Sequence, residues 1–485
     1  VDVEIQRSGG FAGEVSVAAM SPPTGVLVEP LTIPAGQSTA QVAVSAQAPL
    51  ILGDTVSFDL VATADTLPAR MAGVRDAEIT GKPGTLDGSF GLDATGYAAV
   101  SFGADDDGAF FDLDVLGNGD ILAFGWGTGG LGARRFALLR LGAGGTPDPG
   151  FNSGSLARTD FESGSSGENA QGYAVGRQVD GRIIGIGWHS AGAAFPPDIG
   201  LARYSAAGAV GDVEFGNNGR SLIDLGGNEE VTDGLVLPDS RIVIVGQSGE
   251  QLFIARATAT GRLDTTFAGS RGVDIPSLGL RSRAEAVTVD EQGRLLVAGF
   301  VEADSRDMAV LRYTADGLLD TAFGDNGAVR LGTEGASEHA VAVAVRPNGR
   351  IVVAGTTNAA GNDDFTVRQL LENGAPDPDF GGMGVNEQPT GPGNDVATDM
   401  LLLPDGRILV VGNTAQGGPV VARYSRAGAL DPYFGQGGIL TPYVGESGAI
   451  QTVELYARSK VLIAGGNAGG TPGPGTFGII VRMWM

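Results

Sequence analysis

The sequence predicts an all-β chain, a seven-bladed β-propeller preceded by a small β-sandwich. Three observations carry that reading. A motif of the form Gly-x-Leu-Asp-x-x-Phe-Gly returns seven times. A tight turn followed by an apolar run ending in Gly returns in phase with it. β-branched residues dominate, and no stretch shows the 3.6-residue apolar period of an amphipathic helix.

Composition sets the outer limits. Of the 485 residues, 42% are hydrophobic and 18% charged, which suits a folded chain with a core. Asp and Glu outnumber Lys and Arg 56 to 31, giving a net charge of −25. Such a chain repels phosphate backbones and anionic lipid, so no nucleic acid is expected as partner. No apolar run approaches the ~18–20 residues of a membrane helix, so no transmembrane segment is expected. The lack of Cys excludes disulfides, zinc-thiolate sites and thiol nucleophiles, and 2 His exclude a multi-histidine metal centre. The chain begins at Val1, inside a strand-like run, which leaves room for a signal peptide, lipid anchor or further domain ahead of it.

Residues 1–82 carry no copy of the repeat. Apolar and polar residues alternate at Val1–Gln6, Glu14–Ala18, Thr39–Ser45, Thr55–Ala62 and Arg70–Ile79, with turns between. Short strands at that spacing predict a small β-sandwich. Arg7-Ser-Gly-Gly-Phe11, Pro22-Pro-Thr-Gly-Val26 and Ile33-Pro-Ala-Gly36 resemble bacterial Ig-like domains. The first strand reads as early or missing, so the domain is expected to be either truncated at its N-terminus or completed by a strand of another chain, a route to oligomers. Gly81–Gly84 is the linker.

The repeat proper spans 84–485. The motif phenylalanines, Phe90, Phe151, Phe215, Phe267, Phe323, Phe380 and Phe434, lie 61, 64, 52, 56, 57 and 54 residues apart. Each period reads as four strands. In the period near residue 340, Ala340–Arg346 is small and apolar, Asn348-Gly349 makes a hairpin turn, Arg350–Gly355 and Asp364–Leu370 follow, and a fourth strand lies near Met383–Glu387. Four strands per ~40–60 residues is a propeller blade. The Ala/Val/Gly-rich strand is expected innermost, where space is least. The last period has only three strands, near Ile450–Tyr456, Lys460–Gly466 and Phe477–Trp484. An orphan strand at Tyr97–Phe102 is therefore expected to close the ring as its fourth.

Gly-x-Leu-Asp-x-x-Phe-Gly, Asp-Gly-Arg-Ile-Val-Val-x-Gly and Leu-Ala-Arg-Tyr together resemble the delta-60 repeat family of bacterial surface and secreted proteins, itself similar to NHL-type propeller repeats. The resemblance covers about residues 84–485 and implies the fold and exposure outside the cytoplasm. It transfers no catalytic residue. Local departures are the loosened turn Gly208–Phe215, Asn152 and Ala268 in place of the motif Gly, and Gln369 where other copies hold Arg.

The Arg closing each third strand (Arg140, Arg203, Arg256, Arg312, Arg423, Arg482) recurs around the ring, whereas an active site needs one constellation. Its expected role is structural, pairing with the Asp of the following motif while the Phe wedges between blades. His189 and His339 sit in different periods. No nucleophile elbow or phosphate loop appears. Asp105-Asp106-Asp107-Gly108 lacks the acidic twelfth position of an EF-hand but admits a different calcium site; no other cofactor is expected.

Two patterns are positional. Asp107, Asn169, Glu229, Glu230, Glu338 and Asp395 precede or open innermost strands, and Glu229, Glu338 and Asp395 are equivalent, each eleven residues before the turn residue. They are expected to form an acidic rim that attracts a cation or basic partner. Trp126, Trp188 and Phe300 end second strands on the same face and suit a sugar ring or protein partner. The expected function is a secreted or cell-surface bacterial binding or scaffold protein acting on a protein partner or glycan without catalysis. The alternatives are a propeller lyase or hydrolase with a central site, and a structural subunit of a surface assembly or filament.

Overall fold

The structure, a computed structural model, describes the chain apart from residues 1, 5–12, 21, 24–25, 43, 47–54, 65–66, 79–81, 92–94, 104–106, 130–131, 162–167, 193, 303–304, 383, 388–392, 416, 443–447 and 467–476. It divides into two compact units, Val1–Lys82 and Pro83–Met485. In the first, Val15–Met20 lies between Leu31–Ile33 and Thr55–Ala64, and the latter pairs with Leu67–Glu78. Strand alternation turns Val15, Val17, Ile33, Phe58 and Leu60 inward, where they meet Val26 and Val42.

The second unit is built from antiparallel sheets whose strands follow chain order. Five four-stranded sheets span 169–223, 229–274, 281–331, 338–387 and 395–440. The strands of 108–159 and of 449–484, with Tyr97–Ser101, form an eight-stranded sheet whose two parts are joined by the single pairing of Ala109 with Gly466. The outermost place beside Phe477–Trp484 is taken by Tyr97–Ser101, with Tyr97 opposite Val481 and Ser101 opposite Phe477. An edge left by the end of the chain is thus covered by a strand from near the start of the unit. Among the described residues, helix is confined to one short 3-10 turn, Asn152–Gly154. Among the described residues, no helix is long and apolar enough to cross a membrane.

Two glycine positions follow from packing. Each first strand carries a bulge, as between Phe110 and Asp112 or between Ala340 and Ala342. Opposite it, a second-strand Gly lies so close that a Cβ on Gly125 would overlap the carbonyl oxygen of Ala109, and one on Gly355 that of His339. The Gly ending each apolar run is therefore set by the bulge. The Gly opening each Phe motif has a positive φ, +79° at Gly317 and +83° at Gly145, and roofs the Phe of the preceding copy. Phe267 lies under Gly317, Phe90 under Gly145 and Phe434 under Gly84. Each motif ring is buried completely, worth about 1.5–3 kcal/mol apiece.

Candidate functional site

The third-strand arginines tie one sheet to the next. Arg203, Arg256, Arg312, Arg423 and Arg482 meet Asp212, Asp264, Asp320, Asp431 and Asp87 at 2.7–2.9 Å, and Arg140 meets Asp148. Each guanidinium also lies over the Phe of that motif, 4.5 Å from the ring centre at Phe267 and 5.3 Å at Phe151. Several reach a backbone carbonyl of the following copy, such as Arg256 to Ala315. These side chains hold sheets together through charge-assisted contacts within the protein.

The fifth copy reaches the same end by exchange. Gln369 donates to Asp377 at 2.6 Å and accepts from Arg346 Nε at 2.6 Å, while Arg346 donates to the carbonyls of Gly406 and Arg426. In the sheet 169–223 the pair is reversed. Gln178 donates to the equivalent carbonyls of Ser240 and Ala259, and Arg203 binds the Asp. The cation and the amide have changed places across one contact.

The first strands surround a cavity of about 310 Å³, which takes lining residues from every sheet of the unit, among them Phe111, Tyr173, Thr232, Glu285, Val341, Thr398 and Gln451. Phe111 and Tyr173 pair at 5.1 Å between ring centres. Asp112, Asp233 and Asp399 stand next to these residues, each with one oxygen accepting from the next N–H of its own strand. The other oxygen accepts from the neighbouring first strand, at Val175, Val287 and Val453. Each carboxylate therefore clamps two successive first strands. Protein surrounds the channel, and this burial pushes Asp233 up to about 7 and Asp399 to about 6 against the pull of their N–H donors; Asp112 is raised well above its usual range. The charges act on one another across the channel, since Asp399 raises Asp233 and Asp233 raises Asp112.

The rim expectation needs a correction. Glu229, Glu338 and Asp395 are buried, at 0%, 0% and 3% exposure. They point between sheets because side chains alternate along a strand. Glu229 Oε1 accepts from Ser248 and from the Gly227 N–H, and Glu338 meets Arg368 at 2.7 Å. At the next position Arg283 lines the channel, and Gln171, Glu230, His339 and Val396 hold the same register place in other sheets. There Arg283 pairs with Glu230 at 2.9 Å and with Glu285 at 3.0 Å. Burial raises Glu285, opposed by Arg283, and lowers His339.

The aromatic expectation is also corrected in part. Trp126 and Phe300 are only 3% and 4% exposed. Arg134 and Arg306, from the adjoining third strands, lie 4.1 and 4.4 Å from their ring centres and cover them. Trp188 is half-buried and packs against the core between sheets. Arg134 also donates to Gln171, which donates to Tyr173 at 2.8 Å. Asp107 caps its own strand, accepting from the Gly108 N–H. Asp105 and Asp106, the rest of the calcium expectation, lie outside the described residues. His189 is buried beside Glu168 at 3.4 Å.

Asp112, Asp233 and Asp399 were missed by sequence reasoning, yet the signal was present. Each stands seven residues before its turn residue (119 − 112, 240 − 233 and 406 − 399), a charge recurring within an otherwise apolar strand. A larger hollow of about 680 Å³ lies beside Tyr97–Ser101, but among the described residues Arg158 is the sole charged side chain lining it.

The profile of the family described as domain of unknown function DUF5122, β-propeller, matches residues 116–151, 237–267, 293–323, 346–380 and 403–434. No curated protein matches the chain. Among solved structures, the chain is similar to a protein of unknown function from Dyadobacter fermentans, at 13% identity and TM-score 0.41 over 80% of this chain and 98% of that one. It is also similar to a puromycin-hydrolyzing peptidase of Mycobacterium tuberculosis, at 15% and 0.44 over 78% and 51%. A third likeness is to the β-propeller domain of the Trilobed protease from Pyrococcus furiosus, at 13% and 0.40 over 75% and 92%. The repeats and the matched family make this an all-β repeat protein of β-propeller type.

Proposed function

We propose that this chain is a non-catalytic binding or scaffold protein, acting outside the cytoplasm, which presents the channel mouth to a protein partner or a surface glycan. One observation carries the reading: the principal polar side chains of the channel are already engaged by the protein. Asp112, Asp233 and Asp399 each accept two backbone N–H groups, Arg283 sits between Glu230 and Glu285, and Tyr173 is held by Gln171. A general base or nucleophile must be free to exchange a proton or attack, and these groups are spent on holding strands. The same arrangement suits recognition, because it fixes an aromatic wall and a charged pair in place before a ligand arrives. In this reading the five four-stranded sheets and the two halves of the eight-stranded one are seven delta-60-type blades, and residues 1–82 are an Ig-like domain.

The test is binding of the intact chain to arrays of bacterial surface glycans and of peptides, repeated with Tyr173→Ala and Arg283→Ala. Binding to one class, weakened about tenfold or more by either variant at unchanged melting temperature, supports the proposal. Cleavage of any bound probe, or binding indifferent to both variants, overturns it.

A further inference from the structure

A second site lies between the sheet 169–223 and the sheet that follows it. Asp198 opens a third strand, Asp224 follows the outer strand Arg220–Ile223, and Glu229 opens the next first strand. One carboxylate oxygen from each lies within 4.8 Å of the others. Glu229 is 0% exposed, and its Oε2 has no hydrogen-bond partner, while Oε1 accepts from Ser248 and Gly227. A buried carboxylate oxygen without a donor is costly unless a cation meets it.

The equivalent carboxylate in the sheet 338–387 shows what is missing. Glu338 is also 0% exposed, and the protein supplies its cation, Arg368, at 2.7 Å. Arg368 lies opposite Val353, one residue before Gln369; the same register position in the sheet 229–274 is Ala255, opposite Ile244 and one residue before Arg256. With a methyl in place of a guanidinium, Glu229 instead faces two more carboxylates. Burial, and then the neighbouring Asp224, raise Asp198, with His189 opposing. Burial likewise raises Glu229, opposed by Ser248 and the backbone N–H groups of Leu225 and Gly227. Both shifts follow first from burial, to which the charge of Asp224 adds.

We propose that Asp198, Asp224 and Glu229 bind a calcium ion that supplies the positive charge which Arg368 supplies to Glu338. Calcium–oxygen distances of about 2.3–2.6 Å let one ion span oxygens up to about 4.6–5.2 Å apart, whereas magnesium at about 2.1 Å spans about 4.2 Å. Oxygens that all lie within 4.8 Å of one another fall inside calcium's span, and calcium's flexible all-oxygen coordination accepts such a trio more readily than magnesium's strict octahedron. Asp224 is exposed and gives the ion a way in. The site is separate from the channel, so its failure leaves the binding proposal untouched.

The experiment is calorimetric titration of the chelator-treated full chain with calcium chloride, together with thermal melts in calcium, magnesium or chelator. One calcium should bind per chain and raise the melting temperature, with magnesium at the same concentration giving a much smaller rise. Asp224→Asn changes an exposed residue and should retain the melting temperature in chelator, while weakening calcium binding at least tenfold. Asp198→Asn should do the same. Equal shifts from both metals, which indicate only screening of the net charge, would overturn the site. So would a calcium response unaltered in both variants, or no calcium binding by the wild-type chain.

Discussion

Carboxylates clamp sheet to sheet in two places, and the two clamps are electrostatic opposites. On the third strands Asp264 faces Arg256, with both side chains nearly buried. On the first strands Asp233 faces only backbone N–H groups and other carboxylates. Burial acts on both and would raise both. At the motif Asp it is outweighed: for Asp87, the Ser89 hydroxyl and N–H, Lys460 and Arg482 bring the carboxyl down to about 2. At Asp233 the named partners are two backbone N–H groups and the charge of Asp399, so burial prevails and the carboxyl rises to about 7. Depth alone does not decide the charge state of a buried acid; the partner does.

The largest effect expected from this contrast is at the arginine clamp. Arg256→Ala strands Asp264 without its cation, uncovers Phe267 and frees the Ala315 carbonyl. It should lower stability by about 3–5 kcal/mol, read by denaturant unfolding. Arg140→Ala, in a more exposed pair, should cost about 1 kcal/mol. Equal losses at the two sites would show that burial does not set the strength of the clamp.

The exchanged pair gives a sharper test. Gln369→Arg places a second guanidinium against Arg346 and should destabilise by about 2 kcal/mol or more. Adding Arg346→Gln rebuilds the Gln178–Arg203 arrangement, and the double variant should return to within about 1 kcal/mol of the wild type. A double variant no better than the single one would mean that the carbonyls of Gly406 and Arg426 require an arginine.

The smallest effect is the dependence on pH. Asp87 has a lowered pKa, so its stabilisation is present above the ordinary 3.8 and is lost as pH falls towards about 2. Asp233 and Asp399 have raised values, so theirs is complete below 3.8 and is lost as pH rises through about 6 to 7. The melting temperature should peak near pH 4–6 and decline towards pH 8. Asp233→Asn presents an amide N–H to a backbone donor and should cost about 1–3 kcal/mol at pH 5. It should also flatten the decline from pH 5 to pH 8. A variant that retains the full slope would place the alkaline loss outside the channel.

The sequence by itself determined the all-β character, the repeat and its period. These depend on local chemistry: Gly where φ is positive, β-branched runs, turns, and a motif Asp-x-x-Phe short enough to act within a few residues. The pairing of Arg with the motif Asp was legible for the same reason, since Arg256 and Asp264 are eight residues apart. Which face of the first strand meets the channel was decided only by tertiary structure. A period of two makes Glu229 and Glu230 opposites, and one sequence offers no mark of which one turns inward. The bulge that sets this phase is visible only where a second strand lies opposite it. Likewise, the clamps from Asp112, Asp233 and Asp399 to a neighbouring strand join positions 63, 54 and 54 residues apart. Folding of the sheets around one another creates those contacts, and no local pattern of residues specifies them.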